Sequence, residues 1–145
     1  MEILDGKITK NFNIKEFQCR HCGQVLLNGS VLIHIIRLQT FRDWYNRPIN
    51  VNSGYRCAVH NKAVGGVKNS YHMKGIATDF SLPIEFYKFT NDRKSEFIGN
   101  VINKWRELGG GTVCVYDTFI HLDSKEPPFK IYDYRKSKLY TININ

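Results

Sequence analysis

The spacing of apolar residues along the chain predicts two amphipathic helices. Apolar side chains recur at close to helical spacing over residues 30–47 and again over residues 95–108. The first segment follows start signals at residues 28–30 and stops at Pro48, and glycines at 109–111 end the second. The predicted core-facing residues are Leu32, Ile35, Ile36, Phe41, Trp44 and Tyr45 in the first helix, and Phe97, Ile98, Val101, Ile102, Trp105 and Leu108 in the second.

Short runs rich in β-branched and aromatic residues predict six strands. They cover residues 49–53, 76–82, 113–116, 119–123, 129–134 and 140–144. Strands that follow helices, with short turns between neighbouring runs, predict an α+β domain in which a small antiparallel sheet has helices packed on one face. Residues 56–73 have no sustained periodicity, so a long loop is predicted there, of the kind that often carries function.

Length and charge narrow the class of protein. The 145 residues predict a single domain over 1–145, and the formal net charge of +8 favours polyanionic surroundings such as nucleic acid, a membrane surface or an anionic cell wall. No apolar run reaches the roughly 18 residues that a bilayer-spanning helix needs. Residues 1–10 also lack the apolar stretch of a secretory signal, so we expect synthesis in the cytoplasm, with no signal peptide and no transmembrane segment.

The cysteines offer only half of a possible zinc site. The chain has four cysteines, and a protein made without a signal should keep them reduced. Cys19 and Cys22 form a C-x-x-C that could be half of a structural zinc site, but no second close Cys/His pair completes it, so free thiols are expected. A nucleic-acid-binding zinc module built on this stretch is disfavoured, because the basic residues are scattered rather than gathered in one stripe.

The stretch SYHMKGIATDF, residues 70–80, carries two candidate metal ligands. If His72 leaves the end of the loop and Gly75 permits a sharp bend, Asp79 returns on a strand with its side chain directed to the same point. Ala77 lies on the same strand face as Asp79, and its small size leaves room for an ion or a substrate.

A third ligand is available in YDTFIHLDS, residues 116–124. If residues 119–123 form a strand, His121 shares a face with Asp123, while Ile120 and Leu122 point into the core. Two imidazoles and one carboxylate leave a fourth position open to water, which is typical of a catalytic zinc site.

Three ordered motifs resemble a known family. SGYRCAVHNKAVGG (53–66), SYHMKGIATDF (70–80) and GGGTVCVYDTFIHLDS (110–124) resemble the zinc D-Ala-D-Ala carboxypeptidase family of metallopeptidases, which shares its fold with the hedgehog signalling domain. The resemblance extends back to NFNIKEFQCRHCG and covers roughly residues 11–124. It implies a hedgehog/DD-peptidase fold.

The resemblance also implies roles for individual residues. His72, Asp79 and His121 match the family's zinc ligands. Arg56 matches an arginine that binds the substrate and steadies the developing oxyanion, although a surface salt bridge is its alternative role. Ser70 matches a position that can hydrogen-bond the terminal carboxylate of the substrate, and it could equally cap local backbone.

The general base departs from the family pattern. Many relatives place Asp or Glu three residues before the last zinc histidine, where this chain has Thr118. We favour Asp123 as the catalytic carboxylate, because it lies on the same strand face as His121. Asp117, one residue from the usual place, is the alternative, and Asp123 could instead orient a ligand.

The implied function is hydrolysis of peptidoglycan. The resemblance predicts a zinc peptidase that cleaves stem peptides as a D-Ala-D-Ala carboxypeptidase or an L-Ala-D-Glu endopeptidase, acting on the bacterial cell wall as a phage endolysin or tail-associated lysin. We expect a monomer with peptidoglycan or muropeptides as substrate, Zn2+ as cofactor and no specific nucleic acid as partner. Thr118 leaves open an alternative, a non-catalytic zinc-stabilised domain that binds the cell wall or serves as a virion structural part.

Overall fold

The fold combines helices with one mixed sheet. The computed structural model describes residues 4–144, and within this range the helices and strands confirm the predicted α+β class. The helices are α1 (Gly29–Tyr45), α2 (Ala58–Ala63) and α3 (Asn91–Glu107), and the strands are β1 (Val51–Ser53), β2 (Ala77–Ser81), β3 (Thr112–Val115), β4 (Phe119–Asp123) and β5 (Lys130–Asp133). Short 3-10 turns occupy Leu4–Gly6, Ile14–Phe17, Tyr71–Lys74 and Ile84–Lys88. None of the helices within residues 4–144 is both long and apolar enough to cross a bilayer.

The sheet has the order β1-β2-β4-β3-β5, and one strand departs from the predicted antiparallel arrangement. The pairs β1–β2, β2–β4 and β4–β3 are antiparallel, but β5 runs parallel to β3. The reason is the path of the chain after β4, which ends beside the start of β3 and passes closely over Gly111, where an added Cβ would lie 2.4 Å from Lys125 N. From that end of the sheet, a strand on the free edge of β3 can only run in the direction of β3.

Helix α1 buries only half of its predicted core residues, namely Ile35, Phe41 and Tyr45. Leu32, Ile36 and Trp44 are exposed. The buried residues are Val31, His34, Ile35, Leu38, Phe41 and Tyr45. Apolar residues surround this helix on nearly every side, so their spacing alone does not select the face that packs.

Helix α3 buries Ile98, Val101, Ile102 and Trp105, as predicted. It begins four residues before the expected position because the Thr90 hydroxyl accepts the N–H of Arg93 and caps the first turn.

Two further predictions are wrong. Residues 140–144 form no strand, and the predicted loop at 56–73 contains helix α2 and the 3-10 turn Tyr71–Lys74. Helix α2 begins where the sulfur of Cys57 accepts the N–H of His60, and a thiol at this position is not among the strongly preferred helix caps. The resulting six-residue helix is too short for apolar periodicity to reveal it.

One face of the sheet forms the core. Phe80, Val113, Ile120 and Leu122 are fully buried beneath α1 and α3, which confirms the predicted orientation of the two β4 residues. The indole Nε1 of Trp105 donates to the carbonyl oxygen of Asp123 at 2.8 Å, so α3 is bonded directly to the end of β4. The opposite face of the sheet is left for polar side chains.

A histidine lies inside this core. His34 is 0% exposed, with Nδ1 2.6 Å from Ser124 Oγ and Nε2 2.9 Å from Thr78 Oγ1. A neutral imidazole is a donor at one nitrogen and an acceptor at the other, and the two hydroxyls can serve both. Burial, reinforced by the charge of Arg37, lowers the pKa of His34 to about 3.

The buried His34 predicts a pH-dependent stability. The folded pKa of about 3 lies below the unfolded value, so the contribution of the neutral ring is complete above about pH 6.5 and is lost as the pH falls. Relative to His34→Gln, which does not titrate, the wild type should lose about 1.4 kcal/mol of unfolding free energy per pH unit below 6.5, or about 2 kcal/mol by pH 5. Urea unfolding of both proteins at pH 7.5, 6 and 5 measures this difference, in which other titrations cancel. A difference that stays constant with pH would contradict a buried neutral His34.

Candidate metal centre and its cavity

The three residues predicted to bind metal converge on the polar face of the sheet. Asp79 of β2 pairs with His121 of β4, and His72 approaches from the 3-10 turn that precedes β2. One ligand atom from each of the three lies within 4.8 Å of the other two. Asp79 Oδ1 is 3.2 Å from His72 Nε2 and 2.8 Å from His121 Nδ1.

The local sequence explains how His72 reaches this point. The hydroxyl of Ser70 accepts the N–H of His72 at 3.2 Å and caps the turn, and Gly75 ends it in the left-handed region at φ 71°. A Cβ at Gly75 would lie 2.8 Å from the side chain of Val31, so both backbone angle and space favour glycine here. The predicted sharp bend is therefore present, and Ala77 follows it, buried and paired in register with Asp123.

Hydrogen bonds orient both imidazole rings. Nδ1 of His72 lies 2.8 Å from the carbonyl oxygen of Gly54, which can only accept, so this nitrogen carries the proton and Nε2 presents its lone pair. Nε2 of His121 lies 2.8 Å from Asp123 Oδ2, so its proton is donated there and Nδ1 faces Asp79. Carbonyl and carboxylate partners of this kind orient histidines that bind metals.

The charges around the site favour a cation. Burial disfavours the charged form of His121, but hydrogen bonds to Asp123 and Asp79 outweigh burial and raise its pKa to about 9. Burial likewise opposes the charge of Asp79, yet its close contacts with His121 and His72 hold the pKa of this carboxyl well below its usual range. The cluster therefore holds a positive charge where its ligand atoms meet. Two imidazole nitrogens and a carboxylate oxygen are a donor set that fits Zn2+.

The cluster opens into a cavity of about 540 Å³. Aromatic side chains form part of its wall, and Arg56 and Lys125 add positive charge. The aromatic lining residues are Tyr71, Tyr116, Phe119, Tyr132 and Tyr134. Among the described lining residues, Asp79 and Asp123 supply the carboxylates. The volume falls within the range of pockets that take small ligands.

Arg56 is held against the cavity wall by polar side chains. Its Nη1 donates to Asn61 Oδ1 at 2.9 Å and its Nη2 to Ser53 Oγ at 3.3 Å, while Nε is buried without a hydrogen-bond partner among residues 4–144. No carboxylate forms a salt bridge with Arg56 within the same range, which disfavours the surface ion pair considered for it. Asn61 was not predicted as a site residue. The sequence feature that could have indicated Asn61 is the Gly65-Gly66 pair, because a Cβ at Gly66 would collide with Asn61 Oδ1.

The candidate bases occupy different places. The carboxylate of Asp117 accepts the backbone N–H groups of Lys136 and Ser137, and neither Asp117 nor Thr118 lines the cavity. Asp123 does line it, with Oδ2 at His121 and Oδ1 accepting the N–H of Lys125 at 3.1 Å. Ser70 also lines the cavity, in addition to capping the turn. Catalysis by Asp123 and substrate binding by Ser70 stay predictions.

The contact between Asp123 and His121 predicts an effect on metal affinity. Asp123→Asn removes the charge that holds the ring of His121, and loss of such a partner weakens metal binding about 10- to 100-fold. Competition with a chromogenic chelator, with Zn2+ as the probe ion, measures this affinity. Asp117→Asn is the matched control, because it makes the same chemical change outside the cavity and should leave the affinity at the wild-type value. Equal affinities in all three proteins would contradict the orienting contact.

Comparison with known proteins agrees with this geometry. A family profile described as Peptidase M15 matches residues 10–123, a span that contains Arg56, the three ligand candidates and Asp123. No curated protein matches the chain. The profile covers well over half of the 145 residues and confirms the resemblance drawn from the sequence motifs, and the chain therefore belongs to the peptidase M15 family.

Proposed function

We propose that the protein is a zinc peptidase that hydrolyses peptidoglycan stem peptides. The observation that carries this proposal is the convergence of two oriented imidazoles and one carboxylate at the floor of an open cavity. His72, Asp79 and His121 would hold the ion. Zinc in such a ligand set supplies Lewis acidity and a nucleophilic water at neutral pH.

Arg56 is proposed to bind and polarise the substrate. Its two Nη groups each use one hydrogen bond within the protein, so further N–H donors are available to an oxygen of the substrate. Stem peptides carry free carboxylates, at the terminal D-Ala and at D-Glu, and a fixed guanidinium suits both a carboxylate and a developing oxyanion. This role is compatible with D-Ala-D-Ala carboxypeptidase and with L-Ala-D-Glu endopeptidase activity. Ser70 is proposed to bind the substrate carboxylate from the same cavity wall.

Asp123 is proposed to move the proton. Among the described lining residues it is the carboxylate that is not itself a candidate ligand. It would accept a proton from the attacking water, and the same proton would pass to the amine that leaves when the peptide C–N bond breaks. Oδ2 of Asp123 would accept from His121 throughout and keep its ring oriented.

A zinc-saturated assay separates these two roles of Asp123. Zinc-loaded wild type should release D-Ala or cleave L-Ala-D-Glu in purified muropeptides, followed by liquid chromatography and mass spectrometry. At saturating Zn2+, Asp123→Asn should lose at least about 10²-fold in kcat, because general acid–base catalysis contributes that much. Asp117→Asn should retain wild-type kcat. If excess zinc restored the wild-type kcat of Asp123→Asn, Asp123 would only orient His121 and would not act as the base.

Arg56→Lys tests the proposed role of Arg56 in substrate binding. Lysine keeps the positive charge but loses the planar pair of donors, so kcat/KM on the same muropeptides should fall about 10²-fold, the effect of removing one oxyanion donor. Zinc affinity should not change, because Arg56 makes no contact with the ligand atoms that the structure records. Unchanged kcat/KM would exclude Arg56 from substrate binding.

A second candidate function is a non-catalytic domain that binds the cell wall or forms part of a virion. The observation in its favour is the absence of a carboxylate at Thr118, together with the occupied hydrogen bonds of Asp123. It predicts stoichiometric zinc, sedimentation with insoluble peptidoglycan and no turnover of any muropeptide.

The proposed setting is the bacterial cell wall, with the protein acting as a phage endolysin or a tail-associated lysin. The net charge of +8 supports this setting, because anionic wall polymers attract a cationic enzyme and raise its local concentration.

A further inference from the structure

Three of the four cysteines meet away from the cavity. One ligand atom each from Cys19, Cys22 and Cys57 lies within 4.8 Å of the other two, although Cys57 is far along the chain. None of the three lines the cavity. The C-x-x-C that lacked a partner in the sequence therefore has one in space, and this partner is a single residue that no spacing rule would have paired with it.

Backbone N–H groups are directed at the sulfur atoms. The N–H of Cys57 donates to Cys19 Sγ at 3.4 Å, and the N–H of His60 donates to Cys57 Sγ at 3.4 Å. A tight turn brings Cys22 back to Cys19, with Gly23 at φ 70° and its N–H donating to the carbonyl of Cys19 at 2.9 Å. Hydrogen bonds to sulfur favour the thiolate, which is the form that binds metals.

We propose that Cys19, Cys22 and Cys57 bind a second, structural zinc ion. Three thiolates make up most of a closed structural zinc set, and the C-x-x-C spacing is typical of its ligand pairs. The stacked rings of His21 and His60, with centroids 6.1 Å apart, lie outside the group of ligand atoms within 4.8 Å of one another. A disulfide would use two of the thiols and leave the third unpaired.

This ion would hold in place the backbone segment that carries Gly54 and Arg56. Cys57 directly follows Arg56, and the N–H of Tyr55 donates to the carbonyl of Phe17 at 2.8 Å, two residues before Cys19. Gly54 supplies the carbonyl that orients His72, and it packs so closely on Phe17 that an added Cβ would lie 2.6 Å from its Cα. A zinc ion that joins Cys57 to the N-terminal segment would therefore fix the backbone from which both Gly54 and Arg56 act.

Metal counting tests the proposal separately from the peptidase activity. Metal analysis by mass spectrometry should find two zinc ions per wild-type chain, and one in the double variant His72→Ala, His121→Ala. It should find one in Cys22→Ser, whose side chain is exposed so that the change leaves the core intact, and two in the control Cys114→Ser. Zinc retained by Cys22→Ser at the wild-type count would overturn the thiol site, whatever the muropeptide assay shows.

Two measurements do not depend on a variant at the cysteines. With cobalt in place of zinc, the double histidine variant should keep a strong near-ultraviolet thiolate-to-cobalt band. In the wild type, the exposed Cys22 should resist iodoacetamide until a chelator is added. Immediate alkylation of Cys22, or an intact mass that shows a Cys19–Cys22 disulfide, would also overturn the proposal.

Discussion

The antiparallel register between β2 and β4 is the constraint on which the site depends. It places Asp79 opposite His121 and Ala77 opposite Asp123, so two candidate ligands and the hydrogen-bond partner of His121 lie on one face. On the other face, Phe80 and Ile120 are opposite each other and fully buried. A slip by one residue would exchange the two faces, exposing the apolar side chains and burying the polar ones. The core therefore holds the register, and the register holds the ligands together.

Contacts on both sides of the sheet meet at Asp123. Its carbonyl oxygen accepts the indole N–H of Trp105 from the core, while its carboxylate bonds the ring of His121 on the cavity side. Helix α3 thus supports a ligand that it does not touch. His72 has a comparable support, because its partner Gly54 is packed against Phe17 in the N-terminal segment. The partner that orients each candidate ligand histidine is in turn held by a part of the chain distant from that histidine.

The sequence could predict that His72, Asp79 and His121 meet, but not all of their surroundings. His72, Asp79 and His121 were identifiable because their residue types are rare and their motifs occur in order, and strand alternation assigned the residues on either side of His121. The parallel β5 was not predictable, because its direction depends on where the chain passes after β4. The buried face of α1 was predicted only in part, because apolar residues surround that helix and one buried position is taken by His34, a polar residue whose partners lie outside α1. Cys57 was missed as a partner of Cys19 because only the fold brings them together.

With no carboxylate at Thr118, the proposed mechanism asks Asp123 both to orient His121 and to accept a proton, and its two oxygens allow both. A carboxylate has about four lone-pair sites, and the structure uses one on Oδ2 for His121 and one on Oδ1 for the N–H of Lys125. A lone pair on Oδ1 is therefore left for a proton. If Oδ1 takes that proton, Oδ2 still accepts from His121, so the ring keeps its orientation while the acid holds the proton. In this arrangement the residue that orients the ligand can also serve as the base, and no second acid is required near Thr118.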